Sequence, residues 1–379
     1  MKLKKYVDEI LSDIKSEGKE AVNRYSEKFD GFSGPLKLDR EDLEVSSEIP
    51  DEDEKTIKRI MNRVKNLHER QFPEDDLFFQ EGSIYGRLYR SVERIGIYVP
   101  GGQPLPSSLI MSGVPARIAG VEEIALASPP TDGEIDKYTR YTAGLLGITE
   151  VYRVGGAQAI GALAYGAGMD PVDKIFGPGN KYVNEAKRQV YGQVGIDGLA
   201  GPSEVCVVAD DTARAEEVMA DLQSQLEHGD DARAWLLTTS ESLAKDCNRE
   251  RVEVELLSDL QSCMNRANEI APEHLEINTE EPADLLESVR NAGAVYLGEF
   301  TPSAAADYFL GTNHVLPTGR AARFDSVLTV RDFLKPISFA WTSEGEFRGN
   351  SDLGERMAEI EGMSAHGNSL EVRKNEKED

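Results

Sequence analysis

The chain has 379 residues, long enough for two or three domains with cores of their own. Its 68 acidic residues outnumber 42 basic ones, and the net charge of −26 excludes nucleic acid and anionic membranes as partners by repulsion. Three cysteines, Cys206, Cys247 and Cys263, show no CxxC spacing, which fits a reducing cytoplasm and excludes a cysteine-based zinc site.

Residues 4–30 read as an amphipathic helical start with Val7, Ile10, Leu11 and Ile14 on one face. The basic opening lacks the apolar run of a signal peptide, so a cytoplasmic location is expected. Acidic clusters at 51–54 and 74–76 read as solvated loops or helix starts. From Arg94 the pattern alternates. Strands are predicted at 95–99, 123–127, 151–154 and 174–176, and helices at 107–119, 135–146, 157–165 and 181–193. The uncharged stretches 95–116 and 154–169 are broken by prolines or rich in glycine, so neither reads as a membrane span. A second run has strands at 204–209 and 234–238 around a helix at 212–227 that ends at Gly229. Beyond Asp325 the pattern weakens into a polar portion with a charged, frayed tail at 373–379. Such alternation argues for parallel sheets covered by helices. The strong acidity also matches surfaces that work in molar salt, where self-repulsion is screened.

The chain has only five histidines, and four sit among other metal- or proton-handling side chains. Gln225 and His228 are three apart in the last turn of a helix and would share one face, although a histidine favoured by the helix dipole explains His228 as well. Glu273-His274 follows Pro272, which predicts a loop or first helical turn where a carboxylate and a base approach one substrate from two sides. Asp307 and His314 bracket the turn-prone Gly311-Thr312-Asn313, which serves equally for a surface turn. His366 follows Glu361. Gly177-Pro178-Gly179-Asn180 lies between a strand and a helix, a placement suited to an anion. No G-x-G-x-x-G occurs, so these glycines equally serve tight turns.

Together the segments resemble the histidinol dehydrogenase family. The resemblance runs from Tyr25-Ser26-Glu27-Lys28-Phe29-Asp30-Gly31 to Ala365-His366. Its most specific pieces are Tyr98-Val99-Pro100-Gly101-Gly102, Val154-Gly155-Gly156-Ala157-Gln158-Ala159, Ile175-Phe176-Gly177-Pro178-Gly179-Asn180, Ala200-Gly201-Pro202-Ser203-Glu204, Ala271-Pro272-Glu273-His274-Leu275, and Gly311-Thr312-Asn313-His314-Val315-Leu316-Pro317-Thr318.

The resemblance implies an α/β fold of two incomplete Rossmann-like parallel-sheet domains, one inserted in the other, with a small C-terminal region exchanged between subunits of a homodimer. On this pattern residues 1–97 and 203–327 form domain 1, residues 98–202 the inserted cofactor-side domain, and residues 328–379 the exchange region. Gln225, His228, Asp307 and His366 match the family's zinc ligands, one ion per subunit. Glu273 and His274 match its acid–base pair. Ser203, His314 and Glu361 match substrate-contacting positions, and L-histidinol would also meet the four zinc ligands and His274. Tyr98, Gln158 and Asn180 match positions at NAD. The implied reaction takes L-histidinol through L-histidinaldehyde to L-histidine with two NAD reduced. Four mixed ligands plus two substrate nitrogens would make a six-coordinate zinc that orients substrate more than it activates water.

Three departures stand out. The loop after Tyr98 is one residue shorter than usual, Leu199 replaces a proline before Ala200-Gly201-Pro202, and the stretch from His228 to Glu273 is short by about a helix and a strand, as is the N-terminus. Two other readings remain at this point, a zinc- and NAD-dependent dehydrogenase for another polar alcohol and a metal-bound binder without catalysis. His314 and Glu361 oppose the first, and the pair Glu273-His274 opposes the second.

Overall fold

The structure, a computed structural model, describes residues 2–45 and 48–374. The chain divides into two compact units. The larger takes the chain up to Phe72 and then Val92–Phe333, and the smaller takes Pro73–Ser91 and the chain from Leu334 onward.

The N-terminal helical start is two helices, α1 (Lys2–Glu17) and α2 (Lys19–Asp30), parted at Gly18, whose φ of 66° suits glycine. Val7, Ile10, Leu11 and Ile14 are all buried, as the periodicity predicted. The acidic cluster at 51–54 forms the first turn of α3 (Asp51–His68), where carboxylates complement the helix dipole. In the smaller unit, β1 (Asp76–Gln80) and β2 (Ser83–Ser91) make an antiparallel hairpin. The expected solvated loop at 74–76 therefore holds only in part. Asp76 enters the strand because its carboxylate pairs with Arg87 across the hairpin, at 2.9 Å from Nε.

The first parallel sheet is built from β3 (Arg94–Tyr98), β4 (Glu123–Ser128), β5 (Glu150–Arg153), β6 (Lys174–Phe176) and β7 (Gly195–Ile196). They stand in the order β5-β4-β3-β6-β7. Between these strands run α4 (Pro106–Ile118), α5 (Lys137–Leu145), α6 (Gly156–Tyr165) and α7 (Lys181–Val190). Gly161 of α6 lets α1 approach, since a Cβ there would lie 2.9 Å from Ile14 Cδ1.

The second parallel sheet repeats this order as β10-β9-β8-β11-β12. Its strands are β8 (Glu204–Ala209), β9 (Arg233–Thr238), β10 (Val252–Leu256), β11 (His274–Asn278) and β12 (Ala294–Leu297). Its helices are α8 (Ala215–Leu226), α9 (Glu241–Asp246) and α10 (Leu260–Ile270). Each sheet has the Rossmann strand order less its last strand. The fold class expected from the alternation is the one observed.

After the one-turn α11 (Ser303–Ala305) the chain runs to β13 (Leu334–Thr342), α12 (Glu344–Ile360) and α13 (Ser364–Glu371) of the smaller unit. The weak pattern past Asp325 hid these elements because β13 pairs with β2, far back in the sequence, and is mostly exposed. Of the tail expected to fray, residues 375–379 lie outside the described residues.

Candidate active site

Ligand crevices of open α/β sheets lie where the strand order reverses, at the carboxyl ends of the strands. In the first sheet that point falls between β3 and β6. Tyr98 ends β3, Gln158 is in the first turn of α6 after β5, and Asn180 follows β6, so all three share this edge. The buried Tyr98 hydroxyl accepts the Gly156 N–H at 3.2 Å, and burial pushes its pKa up to about 12. Gln158 Nε2 donates to Asp30 Oδ2 at 3.1 Å, and the same oxygen accepts the Gly155 N–H at 3.2 Å. Burial raises the Asp30 pKa, while these two donors lower it. Asn180 caps α7, its Oδ1 accepting from Tyr182 and Val183 N–H at 2.9 and 3.2 Å. Gly177 is obligatory here, since its φ is 111° and a Cβ would lie 2.0 Å from Tyr98 O. A cavity of about 350 Å³ opens beside the Pro100–Pro104 loop, against Ser128, Pro129 and the stretch around Thr131–Arg140.

The amides of Gly155 and Gly156 at the start of α6 are thus already taken by Asp30 and Tyr98, so these two groups make no pyrophosphate cradle of the glycine-fingerprint kind.

The second sheet uses the opposite edge. Ser203 immediately precedes β8, and Glu273 and His274 stand at the start of β11, which pairs His274 with Val205 on one side and Ala294 on the other. The expectation of a loop or helical turn is corrected for His274, which is a strand residue in the sheet interior. Glu273 Oε2 accepts the Glu204 N–H at 3.0 Å. His274 Nε2 lies 3.8 Å from Glu273 Oε1. Burial raises Glu273 to about 8 and lowers His274 to about 3, the latter helped by the neighbouring imidazoles of His314 and His228. At neutral pH the two are a protonated acid and an unprotonated base, so the short distance is not an ion pair.

The sequence reading missed Tyr296 of β12, whose hydroxyl lies 3.0 Å from His274 Nδ1 with the two rings stacked. Burial keeps that phenol protonated. In the tautomer with hydrogen on Nδ1, that hydrogen goes to Tyr296 O and Nε2 is left as the base. Only the pairing of β11 with β12 reveals this neighbour.

Around the pair stand the remaining candidates. Gln225 is buried in the last turn of α8, but His228 lies in the turn beyond it, its N–H donating to Gln225 O at 3.2 Å. The placement of both in the last turn of the helix is thus corrected, for α8 ends at Leu226 and His228 follows it. Asp307 sits in a π-helical turn, Ala306–Leu310, with Oδ1 3.6 Å from His314 Nδ1. Burial raises Asp307 to about 6 and lowers His314 to about 4. The fifth histidine, His68, was given no role by the sequence. It is fully buried, with Nδ1 donating to Val64 O at 2.8 Å and Nε2 accepting from Asn313 Nδ2 at 3.2 Å, which braces the loop before His314.

His366 on α13 and Glu361, capping the end of α12, belong to the smaller unit and are exposed. Within the larger unit Glu273 lies beside His274 and Asp307 beside His314, with His228 and His314 close enough to act on His274 and Asp307 on Glu273, while Gln225 is joined to His228 through its backbone and Ser203 precedes β8. No three His, Cys, Asp or Glu side chains among the described residues make a ready metal cluster. The donors that remain still suit a divalent ion with one further ligand. Asp307 is a half-buried carboxyl beside an uncharged imidazole, and Gln225 spends Nε2 on Ser303 Oγ at 3.3 Å, leaving Oε1 as an acceptor.

Comparison with known proteins agrees with this architecture. The family model described as histidinol dehydrogenase matches residues 1–254 and 245–374, two segments that meet inside the short stretch between His228 and Glu273. A histidinol dehydrogenase of Thermococcus kodakarensis is 59% identical over 98% of this chain and 99% of its own length. One from Methanocaldococcus jannaschii is 41% identical over 97% and 91%. A crystal structure of histidinol dehydrogenase from Elizabethkingia anophelis superposes with a TM-score of 0.94 at 36% identity, over 98% of this chain and 92% of that one. With its motifs, its doubled sheet and these full-length matches, the chain belongs to the histidinol dehydrogenase family.

Proposed function

We propose that this chain oxidises L-histidinol through L-histidinaldehyde to L-histidine, reducing two NAD, and that it does so as a zinc-dependent cytoplasmic homodimer. The observation that carries the reading is the buried, uncharged His274, hydrogen-bonded through Nδ1 to Tyr296 and with Nε2 turned to Glu273. Hydride leaves a carbinol carbon only as the hydroxyl proton is taken, and His274 Nε2 is the base for it. With the ion bound and its own carboxyl thereby ionised, Glu273 would take a proton from the water that adds to the aldehyde, and His274 serves again when the resulting diol gives up the second hydride. Ser203 and His314 position the substrate, and Tyr98, Gln158 and Asn180 hold the nicotinamide end of NAD.

Gln225, His228 and Asp307 would hold Zn2+ with a fourth ligand from His366 of the other subunit. Bound there, the ion supplies a fixed positive charge that gathers the substrate's nitrogens and favours ionised carboxylates around it. The small unit supports the sharing of His366. Its Phe79, Trp341, Leu353 and Ile360 are exposed in the single chain, by 73, 57, 71 and 65%, an apolar surface suited to burial in a dimer. The buried free cysteines suit a reducing compartment, and among the described residues no helix is long and apolar enough to cross a membrane.

The deciding experiment incubates the purified protein with L-histidinol and NAD and counts NADH per substrate consumed. Two are expected. One would mean an alcohol oxidation that stops at the aldehyde, and none would reject the activity. Chelation should abolish turnover and added zinc should restore it, whereas full activity in verified metal-free protein would remove the metal assignment.

A further inference from the structure

A buried lysine is expensive, and the first sheet keeps one beside the turn that carries Asn180. Lys187 on α7 is 1% exposed, and its Nζ forms an ion pair with Asp197 Oδ1, on a side chain 5% exposed. The pair encloses one residue of the turn. Asp197 Oδ2 accepts the Gly177 N–H at 2.7 Å, and Lys187 Nζ donates to Gly177 O at 3.0 Å. Carboxylate, ammonium and the two main-chain groups of Gly177 thus close a ring in which both carboxylate oxygens are engaged.

The ladder between β3 and β6 ends at Phe176, one residue short of Gly177, and Pro178 beyond it has no N–H to give. Gly177 also presses on Tyr98, whose carbonyl oxygen leaves no room for a Cβ, and Asn180 follows three residues later. Apolar groups of similar volume in place of a buried ion pair are often neutral or stabilising, so stability does not explain these two charges. What they supply is direction, an acceptor for one side of Gly177 and a donor for the other. We propose that Lys187 and Asp197 are positioning residues for NAD: their ion pair clamps Gly177 at the switch point and so sets Tyr98 and Asn180 at the spacing that receives the nicotinamide end. The inference rests on the reading of this edge as the cofactor site.

The test titrates zinc-loaded protein with NADH by fluorescence and sets KM for NAD beside KM for histidinol, with melting curves to establish folding. Lys187→Met combined with Asp197→Leu removes both charges and should melt close to the parent. It is expected to weaken NADH binding by roughly tenfold through lost preorganisation and to raise KM for NAD alike, with KM for histidinol little changed. Lys187→Gln combined with Asp197→Asn keeps a donor and an acceptor on each arm and should recover part of that loss. A folded apolar pair that binds NADH like the parent overturns the proposal, as does an amide pair that binds no better than the apolar one. A loss that falls equally on NAD and histidinol, or failure of both double variants to fold, makes the ion pair a general structural element and rejects the positioning role. Asn180→Ser keeps a capping oxygen but loses the carboxamide. If it binds NADH like the parent, the cofactor reading of this edge fails first and the positioning role falls with it.

Discussion

Glu273→Gln separates the cost of a catalytic carboxyl from its use. In the metal-free site Glu273 is 8% exposed, and burial lifts its pKa from 4.5 to about 8. A carboxyl whose folded value is raised favours folding below its unfolded pKa, and that advantage is lost as pH rises through the folded value. The full shift corresponds to roughly 5 kcal/mol at about 1.4 kcal/mol per unit. Relaxation and water entry should reduce this to on the order of 2–3 kcal/mol. Glutamine keeps an oxygen for the Glu204 N–H and never ionises. Metal-free parent and variant should therefore match near pH 5, and the variant should become the more stable by that margin near pH 9. Denaturant unfolding of chelated protein at pH 5, 7 and 9 reads this directly. Parallel stability profiles across that range would refute the argument that its surroundings, burial first, raise Glu273. The same variant should slow oxidation of added histidinaldehyde more than that of histidinol. Equal loss in both half-reactions would remove Glu273 as the group that activates water.

Gly311 has a φ of 89°, and a Cβ there would lie 2.7 Å from Arg63 O. Gly311→Ala should cost about 2–3 kcal/mol and raise the KM for histidinol by disturbing Asp307 and His314, whereas Gly144→Ala, in open space on α5, should stabilise by about 0.5–1 kcal/mol; thermal melts and steady-state rates compare the two. Inactive His366→Ala subunits mixed with inactive His274→Asn subunits should regain roughly a quarter of wild-type sites if each site borrows His366 from the other subunit. No recovery, with subunit exchange shown independently, refutes the shared site. The net charge of −26 predicts a melting temperature that climbs between roughly 0.05 and 2 M KCl, and a flat response contradicts that reading of the surface.

Four strands of the first parallel sheet and β8 and β9 of the second were legible because they are short apolar runs such as Glu204-Val205-Cys206-Val207-Val208-Ala209, every residue of which is buried, whereas β7, β10, β11 and β12 were not read. The antiparallel sheet of the small unit was not, because β13 is exposed at most of its positions and its partner β2 lies some 250 residues earlier. In the site, residue identity was readable and environment was not. Glu273 and His274 stood out as a pair, but that both are uncharged at neutral pH follows from burial, which their neighbours in sequence do not announce. The spacing of Gln225 and His228 pointed to one helical face, yet the helix stops between them. Tyr296 and His68 carried no signal, since each acts through a partner at least 22 residues away.

The order of the second sheet also decides where this enzyme tolerates change. Two strands, β9 and β8, separate the rim strand β10 from β11 and its two reactive side chains. The exposed turn at Asn248 and Arg249, just before β10, falls within the ten residues where the two family matches overlap. Arg251, which holds the carbonyls of Leu226 and Gly229 in the turn around His228, ties this rim back toward that turn. Material added between Asn248 and Arg249 therefore hangs from the outer margin of the sheet. A fluorescent domain grafted there would report on the folded enzyme while leaving its chemistry alone.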